Sequence, residues 1–311
     1  MKGKALLCGA LCVSSFSSVV NAASIYADEG TSLAIGGRVE ARAEYRDSDI
    51  IDLSRARVNI SGETLIGDGI SGIGYFEQEF KASNNKTRYL YAGIKAAIGE
   101  GEAKVVYGKT AGAMSLVTDM TDIQAVYGAI AANKFKVGKR IANSIATFYT
   151  NDSGTSLGIN YSGKHTIKED TFKHGFSVGA SQAIDDTGLT LATGYADQTM
   201  VKKGKEKEKS QFDVGMGYQI KQFYLGALYT NQKLGSKDAD GYDVVAAYKI
   251  NSIYKATLGF GELHVKGGDD TRAVNGDITA KWNKYFRTYA AVNYDTVIDK
   301  TQVMLGARYN F

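Results

Sequence analysis

Apolar and polar residues alternate along most of this chain. In the final segment, VMLGARYNF, Val303, Leu305 and Tyr309 fall on one parity, with Arg308 and Asn310 on the other. Alternation with a period of two predicts a β-strand that has one apolar face and one polar face. The same pattern recurs from the first third of the chain to its end, so the sequence predicts an almost entirely β protein.

Counting the alternating runs predicts sixteen strands. They lie near 33–46, 52–65, 70–82, 86–98, 102–109, 139–151, 153–163, 173–184, 187–199, 209–220, 222–233, 240–250, 252–263, 273–282, 285–297 and 300–311. One set of connections is short and includes 67–69, 99–101, 151–154 and 185–188. The other set includes longer stretches at 110–138, 164–172, 200–208, 234–239 and 264–272. Short turns at one rim and longer loops at the other are typical of outer-membrane β-barrels. We therefore expect an all-β, transmembrane antiparallel barrel of sixteen strands, whose last strand closes against its first.

Composition agrees with this interpretation. The chain has no proline, 36 glycines and 20 tyrosines. Proline is excluded from paired strands, whereas tyrosine is favoured in strands and at membrane interfaces. A hydrophobic fraction of 44% fits a barrel with a wet lumen, because only one face meets lipid. A soluble β-sandwich is the alternative, but sixteen strands would need two domains, and no stretch has the composition of a linker.

Residues 1–22 have the features of a cleaved secretory signal peptide. Lys2 and Lys4 form a basic start, ALLCGALCV an apolar centre, and VNA a cleavage site after Ala22. The apolar run is too short for a transmembrane helix. The mature outer-membrane domain would then comprise residues 23–311.

Removal of this segment changes the chemistry that the chain can perform. Both cysteines, Cys8 and Cys12, lie within it, so the mature chain has no disulfide, thiol nucleophile or thiolate ligand. The count of lysines and arginines falls from 37 to 35 against 33 acidic residues, which lowers the net charge from +4 to +2. Such a small charge gives no indication of nucleic-acid binding.

Charged residues identify the face that lines the lumen. Arg38 and Arg42 share a parity in the first strand, as do Arg55 and Arg57 in the second. An arginine on the lipid face costs roughly 2–4 kcal/mol at the membrane midplane. We therefore expect these arginines to face the lumen, either as solvated charges or as a basic wall that sets the field felt by a passing ion.

In the next two strands, alternation says less about which charged residues face the lumen. Glu77 and Glu79 share a parity and can pair with the neighbouring arginines. Arg88 shares its parity with Leu90 and Ala92, so alternation alone leaves its direction open.

The connection 110–138 is long and unusually apolar for an exposed loop. Long connections without their own structure are uncommon and usually functional. We expect this third loop to fold into the lumen, where it buries Met114 and Leu116 and presents Asp119 and Asp122. Acidic groups facing a basic wall would produce a field across the pore. The alternative is an ordinary surface loop with local helix.

Several segments together resemble the trimeric general porins of Gram-negative bacteria. They are GGRVEAR, ARVNISGETLIGDGISGIGYFEQEF, NKTRYLYAGIK, VVYGK, the TDM of the long loop, GKRIANSIATFY and the terminal RYNF. The resemblance covers the whole mature chain. One departure is TDIQAVYG, which stands where many members have Pro-Glu-Phe-Gly-Gly.

The resemblance implies a pore constriction built by the third loop and the wall. Its basic residues would be Arg38, Arg57, Arg88 and Arg140, and its acidic residues Asp119, Asp122 and Glu77. Lys139 adjoins Arg140 and is an alternative to it. Tyr309 and Phe311 would anchor the closing strand in the periplasmic aromatic girdle.

We therefore expect an outer-membrane homotrimer that passes small hydrophilic solutes and ions by passive diffusion, with a weak preference for anions. Its other partners would be outer-membrane lipid and lipopolysaccharide. We expect no enzymatic activity and no cofactor. Three scattered histidines without supporting ligands predict no metal site. The alternatives are a substrate-selective anion or sugar channel, a surface adhesin or structural barrel without a useful pore, and a soluble secreted β-protein.

Overall fold

The computed structural model describes residues 23–167 and 170–311, and these are almost entirely β-strand. The predicted signal peptide lies outside the described residues. The strands are β1 (Ala23–Asp28), β2 (Thr31–Arg46), β3 (Asp49–Asp52), β4 (Arg55–Gly67), β5 (Ile70–Lys81), β6 (Asn85–Ile98), β7 (Gly101–Thr110), β8 (Ile141–Asn151), β9 (Thr155–Ser162), β10 (His165–Ile167), β11 (Asp170–Ile184), β12 (Leu189–Lys202), β13 (Lys205–Ile220), β14 (Phe223–Leu234), β15 (Lys237–Lys249), β16 (Tyr254–Val265), β17 (Thr271–Lys281), β18 (Phe286–Asp295) and β19 (Lys300–Asn310). The helix α1 (Ser115–Thr118) follows β7. Among the described helices, none is long and apolar enough to cross a membrane.

The long strands form one closed antiparallel barrel. Of the nineteen strands, β1, β3 and β10 are short additions, which leaves sixteen in the barrel. Each barrel strand pairs with its neighbour in sequence, and β19 pairs with β2 from Val303–Tyr45 to Asn310–Arg38. The prediction of a sixteen-stranded barrel is confirmed.

The two rims differ less than the sequence predicted. Connections predicted at 200–208 and 234–239 are two-residue turns, because β12 and β13 continue to Lys202 and Lys205, and β14 and β15 to Leu234 and Lys237. Lys203 and Gly204 both have positive φ, 49° and 75°, as a tight hairpin of this kind requires. The prediction of longer loops at these two places is therefore wrong. The charged residues around Lys203 and Gly204 resemble a surface loop, so the sequence did not reveal the hairpin there.

One face of each barrel strand carries large apolar side chains that no protein covers. Leu258 and Leu305 are 63% and 61% exposed, whereas the intervening positions Thr257 and Met304 are buried. An uncovered apolar band around a closed barrel is the surface that lipid covers. Tyr309 and Phe311 lie on this face, and the backbone of Phe311 exchanges two hydrogen bonds with Gly37 of 2.9 and 3.0 Å. The chain end is thus held within the sheet.

Candidate functional site in the barrel interior

The segment 111–140, between β7 and β8, packs against the inner side of the wall. Met114, Val117 and Met120 have essentially no exposed surface, and they contact wall residues such as Phe172 and Leu228. Burying each such side chain contributes about 2 kcal/mol. This contact explains why the segment contains so many apolar residues although it connects two strands.

Glycines in the wall permit this close approach. A Cβ at Gly179 would lie 2.4 Å from the carbonyl oxygen of Ala113, and one at Gly226 would lie 2.1 Å from that of Met120. Both distances are far below van der Waals contact. The backbone of the segment therefore lies directly on the backbone of β11 and β14.

Polar wall residues hold the segment along its length. Asp243 on β15 accepts three backbone hydrogen bonds, from Ile130 (3.2 Å), Ala131 (3.1 Å) and Ala132 (2.7 Å). Asp277 on β17 accepts one from Ala125 at 3.1 Å. Further bonds of the same kind run from Ala113 to Asn160, from Phe135 to Gln211 and from Val137 to Gln198. The sequence analysis did not include these anchoring residues in the predicted site, although each lies on the polar face of its strand.

Elsewhere on the inner face of the wall, arginines and glutamates form a dense network on β2, β4 and β19. Glu40 has no exposed surface and accepts hydrogen bonds from Arg55 (2.5 Å), Arg308 (2.6 Å) and the hydroxyl of Tyr289 (2.8 Å). Arg42 donates to the carbonyl oxygen of Leu53 at 2.9 Å. Arg42 and Arg55 therefore lie on the inner face of the barrel. The guanidinium of Arg55 forms ion pairs with carboxylates.

Arg57 and Arg38 continue this wall. Arg57 donates to Glu79 through Nε and Nη2, both at 2.6 Å. Arg38 lies directly opposite Arg57 in the β2–β4 ladder, and its nearest carboxylate, on Glu40, is 3.9 Å away.

A β-bulge determines the direction of Arg88. Glu77 pairs with Tyr89 and Gln78 pairs with Thr87, so Arg88 is the extra residue of β6. A bulge of this kind resets the alternation of side chains. Arg88 consequently points inward, where it pairs with Glu77 and lies 3.8 Å from Glu79, although its parity matches the lipid-facing Leu90.

A cavity of about 470 Å³ lies between this wall and the segment 111–140. It brings together six of the seven residues proposed for the constriction from the sequence: Arg57, Arg88, Arg140, Asp119, Asp122 and Glu77. Arg38 is not among the lining residues. Glu77 stands on the basic wall beside Arg88, rather than with Asp119 and Asp122 on the segment.

The cavity also contains residues outside the seven that were expected at the constriction. Lys134 and Lys139, the latter named above as an alternative to Arg140, line it together with the tyrosines Tyr75, Tyr89 and Tyr91. Lys134 lies 3.7 Å from the carboxylate of Asp119. The cluster NKFKVGKR at 133–140 was the available signal, because it places four cations within eight residues.

Lys139 faces the pore water but is enclosed by wall and segment. This enclosure, and then repulsion from Lys136, Lys134 and Arg140, lowers the pKa of Lys139 to about 8. Its ammonium donates to Asn133 Oδ1 at 2.7 Å. Lys139 is therefore a cation whose charge changes close to neutral pH.

The arrangement suits the sorting of solutes by charge and size. Cations on the wall and carboxylates on the segment face the same small volume, so a passing ion experiences both. Within residues 23–167 and 170–311, no group of three or more His, Cys, Asp or Glu side chains is placed to hold a metal ion.

The matches among known proteins include porins and outer-membrane proteins. The sequence profile described as "Gram-negative porin" matches residues 8–311. Porin-like protein L of Photobacterium profundum is 33% identical over 99% of both chains. OmpF of Salmonella typhi, in complex with daunomycin, has a TM-score of 0.79 at 19% identity and covers 93% of this chain and 100% of its own. The trimer form of OmpT from Vibrio cholerae has a TM-score of 0.73 at 16% identity, with 91% and 100% coverage.

Proposed function

Because this chain belongs to the Gram-negative porin family and is an outer-membrane diffusion channel, we propose that its solutes pass through the cavity beside the segment 111–140. The observation that carries this proposal is the meeting of wall cations with Asp119 and Asp122 around one volume of about 470 Å³. The segment would narrow the lumen at this level. Small hydrophilic solutes and ions would cross it by passive diffusion.

The charges at this constriction favour anions. Among the lining residues, Arg57, Arg88, Arg140, Lys134 and Lys139 give five cations, against three carboxylates from Glu77, Asp119 and Asp122. Counting Glu79 as well, whose carboxylate lies 2.6 Å from Arg57, leaves five cations against four carboxylates. Most of the carboxylates are engaged by cations, as in the pairs of Arg88 with Glu77 and Lys134 with Asp119. The residual field at the narrowest point is therefore positive. Charged rings that line a pore set its ion preference in this way.

We further propose that the protein acts as a homotrimer and without catalysis. The trimer form of OmpT supports the assembly, since this chain has the same fold. Tyr309 and Phe311 would contact lipid at the periplasmic interface. The lysine-rich hairpin tip at 202–209 would contact the anionic groups of lipopolysaccharide. Cleavage after Ala22 would give a mature chain that begins at Ala23, which the intact mass of the outer-membrane protein tests.

Planar-bilayer recording of detergent-extracted protein tests the channel directly. We expect large, linear conductance steps that close in three equal substates. The adhesin and structural-barrel alternatives require a blocked lumen, so folded and inserted protein that stays silent would overturn our proposal. A soluble secreted protein is already contradicted by the outer-membrane assignment.

A further inference from the structure

Three tyrosines form an aromatic cluster inside the cavity. Tyr75 and Tyr91 are direct cross-strand neighbours on β5 and β6, and Tyr89 lies diagonally from Tyr75. The ring centroid of Tyr75 lies 5.6 Å from the ring centroid of Tyr89 and 5.6 Å from that of Tyr91. The ring centroids of Tyr89 and Tyr91 are 6.3 Å apart. All three side chains are only half-buried and line the cavity, so part of the aromatic surface faces the lumen.

The cluster lies among the cations of the site. The guanidinium carbon of Arg140 is 5.5 Å from the ring centroid of Tyr89, a cation–π arrangement. Arg57 and Arg88 line the same cavity, and a guanidinium has five N–H donors, of which their contacts with Glu77 and Glu79 use only some. Donors for an anionic group and an aromatic surface are thus available within one volume.

Aromatic surface in a water-filled lumen interacts differently with different solutes. A small inorganic anion gains no stacking contact from it, since stacking requires a flat or apolar partner. A solute with both an anionic group and a ring can contact the arginines and the tyrosines at once. The two contacts reinforce each other, because binding of one end places the other end close to its partner.

We propose that the cavity is a binding subsite for organic anions that carry an aromatic ring. Arg57, Arg88 and Arg140 hold the anionic group, and Tyr75 and Tyr89 contact the ring. This inference rests on the proposed function, because such a solute reaches the cavity only through an open lumen. Such a subsite would give the channel a preferred class of solute in addition to selection by size and charge.

Solute block of single-channel current tests the subsite. The probes are phenylphosphonate, methylphosphonate and benzylammonium, added to the full chain conducting KCl at neutral pH. We expect the half-blocking concentration of phenylphosphonate to be about 2- to 10-fold lower than that of methylphosphonate, which has the same charged group without the ring. Equal block by the two phosphonates, or equal block by phenylphosphonate and benzylammonium, would overturn the inference.

Paired variants separate ring contact from a merely structural role. Replacing both rings, Tyr75→Leu with Tyr89→Leu, should abolish the difference between the phosphonates, whereas Tyr75→Phe with Tyr89→Phe should keep it. Tyr107→Leu is the matched control, because Tyr107 lies on the outer face of β7 and is 61% exposed. A leucine pair that weakens block by both phosphonates equally would show that the tyrosines only support the wall.

The current in KCl alone keeps the two proposals apart. Each variant must first form stable open channels in KCl, which establishes that it is folded and inserted. An open pore without phosphonate discrimination overturns the subsite and leaves the channel intact. A pore that never opens overturns both proposals.

Discussion

At the scale of single residues, the wall shows how a lumen-facing carboxylate can be structural. Glu40 accepts hydrogen bonds from Arg55, Arg308 and Tyr289, and no part of it reaches water. Strands β2, β4, β18 and β19 meet at this one carboxylate. Its main effect is therefore on the closure of the barrel between β19 and β2, rather than on the solute path.

Removal of this carboxylate should destabilise the barrel. Glu40→Gln leaves Arg308 without its anionic partner and Arg55 with Glu79 alone, 3.6 Å away, in a buried place, and we expect a loss of about 3 kcal/mol in the free energy of unfolding. Urea unfolding in lipid vesicles measures it. Glu63→Gln is the control, since Glu63 and Lys95 form a more exposed pair, 2.8 Å apart, whose loss should cost under about 1 kcal/mol. Equal effects of the two substitutions would contradict the assigned role of Glu40.

Lys139 makes the anion preference depend on pH. A lysine with a pKa of about 8 is mostly charged at pH 7 and mostly neutral at pH 9, so a positive charge leaves the constriction as pH rises. We expect the reversal potential in a KCl gradient to shift toward cation preference between these two values. Lys139→Arg should remove this shift, because arginine stays charged throughout. An unchanged pH dependence in Lys139→Arg would assign the titration to another group.

At the scale of elements, the segment 111–140 is held by the wall rather than by its own secondary structure. Its helix α1 has only four residues, whereas its backbone donates to side chains on at least six strands. Asp243 alone receives three of these bonds. The segment should therefore be stable only as long as these anchors remain.

Loss of the main anchor should loosen the segment locally. Asp243→Ala removes three hydrogen bonds to a charged acceptor, and we expect amide hydrogen exchange at Ile130, Ala131 and Ala132 to accelerate by more than about tenfold. Channel recordings should show added current noise as the segment fluctuates. Asp238→Ala on the same strand is the control, because Asp238 is exposed and lies 4.0 Å from Lys266. Unchanged exchange in Asp243→Ala would contradict the anchoring role.

The sequence predicted strands well and their exceptions poorly. A membrane barrel strand has one face in lipid and one in the lumen, so a period of two appears in each of the sixteen. The inward direction of Arg88 did not follow from this rule, because a bulge resets the alternation at that point. The hairpin at Lys203 and Gly204 was also not predicted, because the surrounding charged residues resemble a surface loop.

The candidate site was predictable only in part, for a related reason. Arg57 follows from parity, since a charge cannot face lipid cheaply. The wall residues that bind the segment cannot be predicted from parity, because Ile130 and Asp243 are 113 residues apart and no local pattern links them. The tyrosine cluster and Lys134 likewise emerge only when the wall and the segment are placed together.

At the scale of the whole molecule, the protein is a closed tube with a local concentration of charge in its lumen. Arg57 and Arg88 lie on the wall, while Asp119 and Asp122 lie on the segment that faces it, together with Lys134, Lys139 and Arg140. The near balance of total charge conceals this local concentration. Selectivity is accordingly a property of the constriction and not of the net charge.

The reversal potential of reconstituted channels in a KCl gradient tests this account most directly. We expect an anion-preferring sign for the unmodified protein, a shift toward cations in the pair Arg57→Gln with Arg88→Gln, and a shift toward anions in the pair Asp119→Asn with Asp122→Asn. Open channels whose reversal potential responds to neither pair would contradict the claim that these residues control the passage of ions.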